Sequence, residues 1–136
     1  MKITANNPNR KSWLDVNKNS DFPIQNIPFG VFLTRDDITT IGTRIGDYAI
    51  DLAALHQLGY FEGIPLTDDI FMQDTLNDFI TDGRMTWRLV RNRIADIFDE
   101  TNPKLRDQEK HRDTVIFEMD QVEMLLPVQI GDYTDF

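Results

Sequence analysis

The stretch TTIGTRIGDYAIDL, residues 39–52, sets two runs rich in β-branched side chains on either side of Gly46 and Asp47. A Gly-Asp pair between such runs is a hairpin signal, because glycine enters the positive-φ region that a two-residue turn demands. Residues 39–46 therefore read as one strand and residues 48–52 as the next. Working back, Val31, Phe32 and Leu33 form another β-rich run beginning near Gly30, and Arg35, Asp36 and Asp37 supply the turn between it and residue 39. Pro23 and Pro28 keep the segment before it extended. Three short antiparallel strands in succession make a meander, an element from which small barrels are built.

Past residue 52 the period changes. LAALHQLGYF, residues 52–61, predicts a short helix with Gly59 in the position just after its end. DTLNDFITDG, residues 74–83, predicts a short amphipathic helix capped by Asp74 or Thr75 and stopped by Gly83. From Arg84 to Phe98, most of Met85, Trp87, Leu89, Val90, Ile94, Ile97 and Phe98 fall on one stripe, with Arg88, Arg91, Arg93 and Asp96 off it. This is the longest helical pattern in the chain. Residues 99–113 crowd charged side chains around Pro103 and read as a solvated connection, with at most one helical turn. Two β-rich runs, residues 114–119 and 121–126, divided by Asp120, lead to the closing IGDYTDF. Ahead of the meander, residues 1–11 are a polar arm, and SWLDV, residues 12–16, is expected to pin onto the body.

A length of 136 residues, 40% of them hydrophobic, suits one globular domain of α+β class. With 14 basic against 23 acidic residues the net charge is −9, which repels phosphate backbones and anionic membranes and argues against nucleic acid or lipid partners. No cysteine is present, so disulfides, thiolate zinc sites and cysteine nucleophiles are excluded. The amino terminus lacks the apolar core of a secretory signal, and no stretch approaches the length of a membrane span. The chain reads as soluble and cytoplasmic.

Few residues invite chemistry. His111 lies in the charged connection and reads as a solvated surface group, whereas His56, beside Leu55, reads as a half-buried packing residue. Ser12 and Ser20, both in the polar amino-terminal region, offer no hydrolase triad. Arg84, Arg88, Arg91 and Arg93 read as a solvated helix face balanced by Asp96, Asp99 and Glu100 rather than an anion site. GTRIGD, residues 42–47, belongs to a hairpin and is followed by no strand-to-helix turn, which excludes a phosphate loop. At the end of the chain, Asp132 and Asp135 follow Gly131 three residues apart. By themselves they favour an Asx turn or a cap over a metal ligand, since hard cations need several converging oxygens.

SDFPIQNIPFGVF, residues 20–32, and IGDYTDF, residues 130–136, resemble fumarylacetoacetase. IGTRIGDYAIDLAAL at 41–55, QDTLNDFI at 73–80 and TWRLVRNRI at 86–94 follow in that family's order, so the likeness runs from Ser12 to Phe136. The resemblance implies a small amino-terminal domain, residues 12–136, built on an SH3-like β-barrel with additional helices. It also implies an enzyme that hydrolyses the carbon–carbon bond of fumarylacetoacetate to fumarate and acetoacetate, the last step of tyrosine and phenylalanine catabolism. A divalent metal, Ca²⁺ or Mg²⁺, held by carboxylates, and a water-activating histidine serve that chemistry. Asp135 matches the family's first metal ligand, and Asp132 matches a motif position with no coordinating role. The other ligands, the histidine and the substrate-contacting groups would lie beyond Phe136, in the family's own catalytic domain, which forms a homodimer. The chain alone is therefore expected to supply a structural domain and one ligand without activity. The alternative is a stand-alone, non-catalytic interaction module of the same fold.

Overall fold

A computed structural model describes residues 11–16, 24, 27–34, 37–72 and 83–128. The meander forms where the β-branched runs lie. β1 (Phe29–Leu33), β2 (Thr39–Ile45) and β3 (Tyr48–Asp51) pair antiparallel in turn, with Val31 opposite Ile41 and Thr43 opposite Ile50. Gly46 takes φ 59° at the first position of the β2–β3 turn, while Asp47 is not among the positive-φ residues. That φ pattern belongs to a type II′ hairpin, in which glycine leads. β4 (Ile116–Glu118) pairs with β3, and β5 (Glu123–Val128) crosses back to pair with β1, giving an antiparallel five-stranded open sheet of order β4-β3-β2-β1-β5. Val31 faces Leu126 and Phe32 faces Met124, so Leu125 is an extra residue in β5. A bulge of this kind bends an edge strand away from flat pairing.

Among the described residues four α-helices accompany the sheet: α1 (Leu52–Gln57), α2 (Arg84–Ile97), α3 (Pro103–Arg106) and α4 (Glu109–Val115). α1 ends at Leu58, and Gly59 follows at φ 88°, the left-handed exit its sequence anticipates. Gly83, expected to stop a preceding helix, occupies the N-cap of α2, and the helix predicted over 74–83 otherwise lies outside the described residues. The core joins one sheet face, with Phe29, Val31, Ile41, Ile45 and Ile50, to Leu52 and Leu55 of α1 and to Trp87, Val90, Ile94 and Ile97 of α2. Full burial of one such aliphatic or aromatic side chain stabilises by about 1.5–3 kcal/mol, so this layer dominates the fold's stability. The opposite face carries Phe32, Ala49, Phe117 and Val122, closing on a void of only about 10 Å³.

Three differences from the sequence reading have physical causes. The charged stretch 99–113 is not a loop: Asn102 caps α3 by accepting from the Lys104 amide at 3.0 Å, Pro103 begins the helix, and Leu105 and Val115 are fully buried. Pro at the first helical position costs nothing, because its missing N–H would be unpaired there anyway. The two strands expected over 114–119 and 121–126 shrink and shift, since α4 runs to Val115 and a 3₁₀ turn occupies Met119–Gln121. The Glu118 amide donates to the Gln121 side chain at 3.3 Å, one half of a capping box that holds this turn. Finally, Met85, one of the apolar positions counted with α2, is 56% exposed, because helical spacing turns it away from the face that Trp87, Val90, Ile94 and Ile97 bury.

Candidate functional site

Asp132 and Asp135 lie outside the described residues, so the predicted ligand has no described geometry. Among the described residues no group of three His, Cys, Asp or Glu converges as a metal would require. These residues do not fit a metal centre. Among the described residues, too, no helix is long and apolar enough to cross a membrane.

A groove of about 940 Å³ runs between the turn after α1, the end of α2 and the α3–α4 corner. Its walls include Tyr60, Glu62, Arg93, Asp96, Asp99, Lys104 and His111. Tyr60 Oη lies 2.7 Å from His111 Nδ1, and the rings meet edge to face at 5.6 Å. Burial raises the Tyr60 hydroxyl above its ordinary range. The phenol donates to Nδ1 in the tautomer that carries the imidazole proton on Nε2. His111, read as a solvated group, is thus tied to a residue 51 positions away. Nothing in the local sequence marks that pairing. His56 behaves as expected, packing its ring 5.8 Å from Phe71 and 6.2 Å from Phe61.

Two of the α2 arginines, Arg91 and Arg93, are also engaged. Arg93 Nη1 donates to the carbonyls of Tyr60 and Glu62, each at 2.9 Å, clamping the loop after α1. Arg91 donates to the Ile27 carbonyl at 3.3 Å and stands 5.7 Å over the Phe29 ring. At these two positions the sequence reading of a solvated face is replaced by one of backbone clamps, because a planar guanidinium reaches several carbonyls at once. Other groove groups satisfy one another. Thr101 donates to Asp99 Oδ1 through both its amide, at 2.9 Å, and its hydroxyl, at 2.6 Å. Asn102 Nδ2 donates to the Asp96 carbonyl at 2.8 Å.

The second polar centre is Asp51. Its Oδ1 accepts from the Ala54 amide at 3.1 Å, capping α1, and from the Thr40 hydroxyl at 2.7 Å. Burial dominates these hydrogen bonds and raises its carboxyl above the ordinary 3.8. Asp51 joins β2, β3 and α1, and the sequence signal for it is the Asp that precedes LAAL.

Fold and groove together define a small α+β domain whose described polar groups serve architecture. The chain belongs to the fumarylacetoacetase N-terminal family, whose pattern it matches over residues 25–127. It is 42% identical over 128 residues to the fumarylacetoacetase of Arabidopsis thaliana and 43% identical over 129 residues to that of Caenorhabditis elegans. The human fumarylacetoacetase is 39% identical over 128 residues. These alignments cover 92–93% of this chain but only 30% of each relative, so the chain spans under a third of their length.

Proposed function

We propose that this chain is the amino-terminal domain of a fumarylacetoacetase that cleaves the carbon–carbon bond of fumarylacetoacetate by hydrolysis. The observation that carries the reading is the pairing of a match to the fumarylacetoacetase N-terminal family over residues 25–127 with relatives of which the aligned part is only 30%. In this reading the domain packs on the remainder of the enzyme, contributes Asp135 to a Ca²⁺ or Mg²⁺ site completed elsewhere, and acts within a cytoplasmic homodimer of tyrosine catabolism. An SH3-like barrel is the finer description of the fold. It is supported by the strand order β4-β3-β2-β1-β5 and by the 3₁₀ turn between β4 and β5.

The test is complementation. The 136-residue chain is mixed with the complementary part of a related fumarylacetoacetase, and loss of fumarylacetoacetate is followed with Mg²⁺ or Ca²⁺ present. The expected result is stable association and turnover by the pair, with none by this chain alone. Turnover by the chain alone, or failure of the two parts to associate, sinks the proposal, and the second outcome favours a stand-alone interaction module.

A further inference from the structure

We propose that residues 11–16 form a detachable strap that caps the carboxyl end of α2 and thereby holds one wall of the polar groove. A helix terminus leaves carbonyls without intrahelical partners. Here the donors come from the far end of the chain: the Trp13 indole donates to the Ile97 carbonyl at 2.9 Å, and the Trp13 amide to the Phe98 carbonyl at 3.1 Å. In return the Glu100 amide donates to the Lys11 carbonyl at 2.9 Å, and Ser12 bridges Asp99 antiparallel. The Trp13 ring stacks on Phe98 with centroids 5.2 Å apart and planes 27° apart. Val16 then lies over Gly46, where a Cβ would meet its side chain at 3.1 Å.

The strap is separable because its backbone pairs along a single bridge at the edge of the body, and Trp13, Leu14 and Val16 pack on the core only half-buried. Once released, its amides and the α2 carbonyls become hydrated, so opening leaves few buried orphans. β2 cannot open in that way, since Ile41 is fully buried in the main core. The strap also reaches the groove directly, because Ile97 and Asp99 line it. Thr101 hangs on Asp99, so loosening residues 97–100 loosens the part of the wall that Thr101 forms. Residues 11–16 precede the 25–127 stretch matched by the family, which places the working start of the folded unit ahead of that stretch.

Native-state amide hydrogen exchange on the full chain in rising, sub-denaturing urea tests this. The Trp13 and Glu100 amides are expected to exchange through a small opening with little urea dependence, well before those of Ile41 and Val90. Trp13→Ala should speed exchange at Glu100 by roughly tenfold or more while leaving Ile41 and Val90 unaltered. Trp13→Phe, which keeps a ring but loses the indole donor, should fall between. Exchange of Trp13 and Glu100 only with the core, at the same urea dependence, overturns the proposal. So does an equal rise at all four amides in Trp13→Ala.

Discussion

At Gly42 the absence of a side chain is a packing requirement. A Cβ there would sit 2.5 Å from the Ile50 carbonyl oxygen and 2.8 Å from the Phe32 ring. The ring can yield, but the carbonyl belongs to the neighbouring strand. Gly42→Ala is expected to lower stability by about 1–3 kcal/mol, read as a fall in the urea midpoint; an unchanged midpoint would contradict the close approach. Asp51 makes a prediction in pH. Its folded carboxyl is raised above 3.8, so the folded state holds its proton after the unfolded chain has released one. Stability from this group therefore falls as pH rises from about 3.8 through the folded value, and the cost persists at neutral pH. Asn caps a helix about as well as Asp and accepts from the Thr40 hydroxyl in the same place. Asp51→Asn should match the wild type in acid and gain on it towards neutral pH, measured as the difference in Tm from pH 3 to 7. A difference that stays constant refutes the assignment.

Among the elements, α2 separates what pattern can and cannot say. Its stripe is periodic, and Trp87, Val90, Ile94 and Ile97 are buried as that period requires. Met85 fits the stripe on composition only: at 3.6 residues per turn it lies on the side of the helix away from Trp87, Val90, Ile94 and Ile97, and it is exposed. Ile94→Ala is accordingly expected to cost about 2–5 kcal/mol, and Met85→Ala to stay within about 0.5 kcal/mol. Equal losses in chemical denaturation would show that the stripe is misassigned. α3 and α4 mark the opposite case. They offer only Leu105 and Val115 to the core. Two apolar residues in a charged run generate no period: α3 rests on the Asn102 cap and the burial of Leu105, α4 on the burial of Val115.

For the whole molecule, family membership brings an expectation about association. Ile38, Met72, Met85 and Leu125 are each 42–57% exposed, and Leu125 stands at the bulge of an edge strand. An edge strand that carries an exposed apolar side chain offers a further chain a place to pair. Sedimentation of the isolated chain should therefore give a weight-average mass that rises with concentration; a strict monomer at high concentration counts against it. What the sequence determined by itself was local or repeated: the hairpin at Gly46, the stripe of α2, the exit of α1 at Gly59, and the motifs that carry the family. Turn chemistry and helical period act between near neighbours, so a single sequence exposes them. Tertiary structure alone decided that His111 meets Tyr60, that Arg91 and Arg93 clamp backbone, that Asp51 is buried enough to shift, and that Trp13 caps a helix 84 residues away. Those contacts join residues far apart in the chain, and their energy arises from burial and geometry that no local pattern encodes.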